Sequence, residues 1–222
     1  MDRVKGVISP SLPGWSLNAA TDELLKKEFD LCRLSRTPHR LFERFNLNHI
    51  IPFDHPDIEK WQDSLRAGLM SRHNDTNIIL TGGVDDIWFN TITDELIVVD
   101  YKSQSNRTPV EPWSYLSSVY HKAYKIQLDF YAYLLKKMGF KVATTGYFLV
   151  CNGNKEADGF NGKLEFSETI IPYQTETNWI KPEIDKMYQL MNSSNVPSSN
   201  PSCENCAYAR QRSGIELSLI HI

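Results

Sequence analysis

The residues able to do chemistry gather in two runs, TGGVDDIWFN and ELIVVDYKS, near the middle of the chain. Asp100 and Lys102 are two positions apart. On a strand they therefore project from one face, about 7 Å apart at their Cα atoms. Asp85 stands on the preceding run, ahead of the loop TITD. Pairing of the two runs would carry its carboxylate towards Asp100, with Gly82 and Gly83 leaving the backbone room. Two carboxylates beside a carbonyl make a hard-oxygen set suited to Mg²⁺ or Mn²⁺. A lysine next to such an ion holds or deprotonates a water and offsets charge developing on phosphorus. The pattern points to phosphodiester hydrolysis. The same residues also read as an ordinary acidic hairpin with a lysine on its edge, although a charged pair directly after LIVV needs a partner. Asp86 competes with Asp85 for the first position, because a one-residue slip of register exchanges the faces of a strand.

The elements that must hold these groups follow from composition and periodicity. The chain has 222 residues, of which 41% are hydrophobic and 11% aromatic. That suffices for one main domain with a real core, without disulfide or metal staples. Lys and Arg number 24 against 27 Asp and Glu, for a net charge of −3, so a polyanion has to be held by a local basic patch. No run approaches the roughly 18 apolar residues of a membrane span, and the N-terminus lacks the apolar stretch of a signal peptide. A soluble, cytoplasmic protein with no membrane partner is expected. Helical spacing predicts helices over 22–35, 57–70, 117–138 and 179–191, the third carrying the stripe Tyr124, Leu128, Tyr131, Leu135 and closed by Gly139. Alternating and β-branched runs predict strands over 77–90, 95–103, 144–151 and 164–173. This order implies an α/β fold with a central mixed β-sheet flanked by helices. The expected organisation is an N-terminal helical region packing on the core (1–72), the core itself (73–192), and a linker with a Cys-x-x-Cys tail (193–216). The last six residues, LSLIHI (217–222), match the translation of a sequencing adapter, so the natural chain is expected to continue differently past about Gly214.

In order, Gly82-x-Val84-Asp85-x-Ile87, the strand ELIVVDYKS, a helix bearing QLDFYAYLL and the terminal Cys203-x-x-Cys206-x-Tyr208 resemble the PD-(D/E)XK nuclease superfamily. The likeness covers about residues 73–210 and is closest to the RecB-type branch, which includes the CRISPR-associated exonucleases. It implies a restriction-endonuclease-like core and a metal-dependent nuclease hydrolysing DNA, in repair, recombination or defence. Carried residue by residue, it makes Asp85 and Asp100 metal carboxylates, the Tyr101 carbonyl a further ligand and Lys102 the catalytic lysine. Gln127 and Tyr131 match a Gln-x-x-x-Tyr motif that orients substrate or the lysine. His73 is similar in placement to a histidine that adds a metal ligand, and reads equally as a solvated residue at a helix end.

Cys203 and Cys206 have the spacing of half a zinc or iron–sulfur site. Cys32 is the one upstream cysteine in a fitting position, while Cys151 ends an apolar strand and reads as a small buried hydrophobe. Arg33, Arg36, His39, Arg40 and Arg44 concentrate basic groups near the first helix, and Lys122 with Lys125 opens the long one. Of these, Arg36, Arg40, Lys122 and Lys125 are the candidate phosphate contacts, against the alternative of solvated helix faces. Trp113, Tyr115 and Tyr120 either stack on unpaired bases or pack as a lid. Two rival functions stand beside the nuclease: a nucleic-acid-binding module of the same fold with a weakened site, and an interaction domain stapled by a Cys-bound metal. The sequence names no protein partner.

Overall fold

A computed structural model describes residues 16–203, 205–210 and 213. The lead-in before residue 16 and the expected adapter stretch lie outside them. The described residues divide into two compact units, one ending at Pro182 and one beginning at Glu183.

The first unit opens with α1 (Ser16–Ser35), which starts earlier than its apolar spacing suggests. Leu25, Phe29 and Arg33, one turn apart, are 5%, 0% and 5% exposed, so one stripe of this helix is buried. A short helix α2 (Arg40–Arg44) follows, then the strand β1 (Ile50–Pro52). The helix expected over 57–70 is only one turn long, α3 (Ile58–Gln62). Beyond it the Asp63 carboxylate accepts from the amides of Leu65 and Arg66, and Gly68 adopts φ +96°. These turn interactions compete with the helix and release the chain into β2 (Leu69–Arg72).

The run 77–90 is two strands. β3 (Ile79–Gly82) pairs only with β2, in a separate two-stranded sheet. After a break at Gly83–Asp85, β4 (Asp86–Asn90) enters the main sheet. It pairs antiparallel with β5 (Glu95–Gln104) across the expected tight loop, in the register Asp86↔Val99 to Asn90↔Glu95. A short helix α4 (Pro112–Ser117) precedes the helix predicted over 117–138, which is a 3₁₀ turn (Val119–His121) and α5 (Lys122–Lys137). They bridge β5 to β6 (Thr145–Gly153), which lies parallel to it, as a parallel pair requires of its connection. An antiparallel β7 (Phe166–Gln174) completes a mixed sheet of order β1-β4-β5-β6-β7.

One face of this sheet packs on α1 and α2 through Phe29, Phe42, Trp88, Val99 and Tyr101. Phe29 stacks on Trp88 at 5.5 Å and on His39 at 4.0 Å. The other face receives α5, and closely: a Cβ on Gly146 would lie 2.8 Å from Leu128 and 2.9 Å from Val98. Residues before 73 pack on those after it: β1 pairs with β4, β2 with β3, and α1 lies on β5.

The helix α6 (Ile180–Met191) runs from the first unit into the second. In the second unit the expected linker carries neither helix nor strand over 195–200, and the Cys206 amide donates to Cys203 Sγ at 3.3 Å.

Gly83 sits against the backbone of Ser64: an added Cβ would fall 2.5 Å from its Cα and 2.7 Å from its N. Gly83→Ala is expected to destabilise the protein by about 1–3 kcal/mol, since backbone cannot yield as a side chain can. The check is a thermal melt, where the midpoint should fall by about 2–10 °C.

Candidate active site

The alternation of β5 separates two polar groups that are neighbours in sequence. Val99 and Tyr101 face α1, and Val98, Asp100 and Lys102 face α5. On β4, Asp86 lies opposite Val99 and so faces α1 as well. There it is fully buried: its Oδ1 takes Arg33 Nη2 at 2.7 Å and the Ile87 amide at 2.8 Å, and its Oδ2 takes the Tyr101 hydroxyl at 2.9 Å. Arg33 also donates to the Phe53 carbonyl and to Asp30. Asp86 is thereby engaged in a packed network and Asp85 is left for the opposite face.

Asp85 Oδ2 accepts the Tyr101 amide at 2.7 Å, which pins it across the end of β4. In an extended strand a residue's N–H and C=O point to the same side. The Tyr101 carbonyl therefore projects with its amide towards Asp85, past the last paired residue of β4. Asp100 is fully buried, and no backbone N–H or hydroxyl donates to either of its carboxyl oxygens. Lys102 Nζ lies 2.5 Å from Asp100 Oδ2 as an ion pair and 4.6 Å above the Tyr124 ring. The carboxyls of Asp85 and Asp100 are near enough to hydrogen-bond when one is protonated.

Electrostatics follow from this crowding. Burial, and then the charge of Asp100, push the Asp85 carboxyl above the usual aspartate range, while Lys102 pulls it back. Burial likewise raises Asp100 against the pull of Lys102. Two carboxyls, Asp100 fully buried and Asp85 half-buried, face one ammonium, so the site has more carboxylate oxygen than cation to match it. That donor set fits a divalent ion of the Mg²⁺ or Mn²⁺ kind, which takes hard oxygens from one or two carboxylates and completes its shell with water. Asp85, Asp100 and the Tyr101 carbonyl would hold it. Among the described residues no three His, Cys, Asp or Glu side chains converge, so neither a zinc cage nor an iron–sulfur ligand set is formed there.

From α5, Gln127 Nε2 donates to the Tyr131 hydroxyl at 2.6 Å. Burial pushes that phenol up to about 12. It therefore keeps its proton at neutral pH, and the Asp100 and Asp85 charges act on it directly. Gly82 admits the ring to this position: a Cβ there would lie 2.8 Å from Tyr131 Cε1.

Other expected residues lie elsewhere. His73 is buried in the turn between β2 and β3, 3.3 Å from the Asn74 amide, and is not gathered with the two acids. Arg40 is held by Glu168 at 2.6 and 2.8 Å and by Glu28 at 3.1 Å, which occupies the fork expected to contact phosphate. Arg36 is exposed beside Asp54 at 3.6 Å. Lys122 is exposed, whereas Lys125 donates to the Leu116 carbonyl at 2.9 Å. Tyr115 is buried and is no stacking platform, but Trp113 and Tyr120 are 82% and 86% exposed. Cys32 lies on α1, and Cys203 and Cys206 in the second unit.

The sequence reading missed Asp22. Placed on α1 and paired with Lys26 at 2.9 Å, it adds a third negative charge that bears on both Asp85 and Asp100. Its only signal was an Asp–Lys pair four residues apart, which ordinarily marks a solvated helix face.

A family model of the PD-(D/E)XK nuclease superfamily matches residues 14–211. The chain belongs to that superfamily, and its mixed sheet flanked by helices is the fold expected of it. A search of curated proteins finds no match to the chain. No helix of the described residues is long and apolar enough to cross a membrane.

The raised carboxyls set the pH dependence of stability. An acid whose folded-state pKa exceeds its unfolded value, about 3.9 for aspartate, binds more protons folded than unfolded, so stability falls as pH rises above that value. In chelator, the melting temperature is expected to fall across this window. Asp100→Asn should flatten the slope and raise the neutral-pH midpoint, and Mg²⁺ should stabilise the parent protein but not the variant. The check is a set of melts against pH, with and without the ion.

Proposed function

We propose that this member of the PD-(D/E)XK nuclease superfamily is an active nuclease that hydrolyses DNA phosphodiester bonds with the help of a divalent cation. The observation that carries the reading is the fully buried Asp100, which no backbone N–H or hydroxyl reaches, set between Asp85 and Lys102. The Lys102 ammonium offsets part of the cost of desolvating Asp100, and the second acid beside it leaves an anionic surplus that a divalent cation would balance.

When bound, the ion would supply Lewis acidity at a phosphate oxygen and lower the pKa of a coordinated water. The chain's own groups do the rest. Asp85, fixed by the Tyr101 amide, and the Tyr101 carbonyl orient the oxygen set. Lys102 is restrained by Asp100 and by the face of Tyr124, so its ammonium is positioned to hold the attacking water or to stabilise the charge growing on phosphorus. Water adds to phosphorus as the bond to the leaving sugar oxygen breaks, and that oxygen takes a proton. The Tyr131 hydroxyl accepts from Gln127 and keeps its own proton to donate into the site. This pair, one turn apart on α5, supports placing the chain in the RecB-type branch related to the CRISPR-associated exonucleases. It also supports a role in DNA repair, recombination or defence.

Purified protein with Mg²⁺ is expected to degrade labelled DNA. Asp85→Ala, Asp100→Ala and Lys102→Ala should each lower the rate by at least about 10²-fold, with circular dichroism unchanged. Wild-type rates in the Asp100 and Lys102 variants would overturn the proposal.

A further inference from the structure

Tyr115 on α4 is only 4% exposed, and its hydroxyl has no hydrogen-bond partner in the protein. Its other polar groups are engaged. The Tyr115 amide donates to the Glu111 carbonyl at 2.9 Å, and its carbonyl accepts from His121 Nδ1 at 2.8 Å. The ring lies 5.7 Å from that of Phe148 and 4.0 Å from that of His121. Backbone bonds and packing therefore place the hydroxyl, and no bond of its own does. Leaving a buried hydroxyl without a partner costs about 1–3 kcal/mol. Such a group in a packed fold marks a site whose partner is a water, an ion or a reactant.

Two chains of contact lead from this ring to the acids and the lysine. Phe148 of β6 stands opposite Asp100 in the parallel ladder, so the two side chains are neighbours on one face of the sheet. On the other side, His121 stacks on Tyr124 at 5.3 Å, and Tyr124 carries Lys102 Nζ 4.6 Å above its ring. Tyr115 thus touches a neighbour of Asp100 and a neighbour of the ring that holds Lys102. Burial, and then the charge of Asp100, push the Tyr115 phenol well above its ordinary value, so it keeps its proton. A donor without an acceptor is thereby held near a carboxylate to which no backbone N–H or hydroxyl donates. Tyr115 also lines a cleft of about 380 Å³ with Gln104, Asn106 and Ser118, a polar passage by which water can reach this part of the fold.

We infer that Tyr115 is a positioning residue of the divalent-cation site: its hydroxyl donates through one bound water to the Asp100 carboxylate and holds that group in the orientation that takes the ion. A carboxylate steadied from outside gives up less freedom when it binds a cation. Removing an outer partner of this kind typically lowers metal affinity or activity by about 10–100-fold. The inference rests on the reading of Asp85 and Asp100 as cation ligands in the proposed nuclease site, and it holds whether or not DNA is cut there.

The test is a series of thermal melts of the full chain against Mg²⁺ concentration, without DNA, for the parent and for Tyr115→Phe. The substitution removes one oxygen and keeps the ring. The Mg²⁺ concentration giving half of the stabilisation should rise about tenfold or more, while the midpoint in chelator stays within about 3 °C of the parent. With labelled DNA at limiting Mg²⁺, the variant should cut about tenfold more slowly, and a tenfold or greater increase in Mg²⁺ should restore most of the rate. An unchanged half-saturating concentration would overturn the inference. A lower midpoint in chelator with that concentration unchanged would do the same, and would assign the hydroxyl to packing. A parent that Mg²⁺ does not stabilise would also overturn it. Weakened Mg²⁺ binding in the variant, with no cleavage by the parent, would leave the inference standing and remove the nuclease proposal. Cleavage by a parent whose Tyr115→Phe variant binds Mg²⁺ equally well would do the reverse.

Discussion

The structure turns on an imbalance of charge inside its sheet. Asp85 and Asp100 bring two carboxyls together where water is largely excluded, and Lys102 supplies one ammonium against them. Desolvation disfavours both anions, and each disfavours the other. Asp22 on α1 adds to the same field. Such a site destabilises the empty protein at neutral pH, so the surrounding packing has to hold it. That packing is dense on both faces: the ring cluster of Phe29, Phe42 and Trp88 on one, and the close approach of α5 over Gly146 on the other.

Register is what makes the imbalance productive. Asp85 and Asp86 are adjacent, yet they take opposite fates. Asp86 has an arginine, a phenol and an amide as partners, which offset part of the burial that raises its carboxyl above the usual range. Removing one member of a network of this kind typically costs about 3–5 kcal/mol. Tyr101 joins the two sides. Its hydroxyl belongs to the Asp86 network, while its amide fixes Asp85 and its carbonyl follows the amide. The network behind the sheet therefore sets the position of the oxygen set in front of it, and a one-residue slip would exchange Asp86 for Asp85.

Much of this was legible from residue types and spacing. The β4–β5 hairpin, the alternation that joins Asp100 with Lys102, and the Gln127–Tyr131 pair on a long helix all follow from short-range pattern, because strand and helix periods are local properties. What was not legible depended on partners far along the chain. The run 77–90 carries a local break signal in Gly82-Gly83 and the two aspartates that follow, but nothing local says that the break sends β3 and β4 into different sheets. That break is set by the close approach of Ser64. The helix expected over 57–70 has apolar spacing throughout, but the Asp63 turn and Gly68 end it. Arg33 and Arg40 look alike in a basic run. Only the fold shows that one neutralises Asp86 and the other is held by Glu168, 128 residues away.

That last point bears on how a polyanion can be recognised at all. The chain is net negative, and the basic run of the first helices is largely taken up internally: Arg33 and His39 are buried, Arg40 is held by Glu168 and Glu28, and Arg44 by the Glu168 carbonyl. A broad electrostatic footprint on that side is therefore weak. The cation shown beside the acids is Lys102, itself paired with Asp100, and Lys122 at the start of α5 is exposed. With so few free charges, long-range attraction contributes little, and affinity has to come from short-range contact at the site itself. A site built in this way would lose less affinity with added salt than one that grips many phosphates.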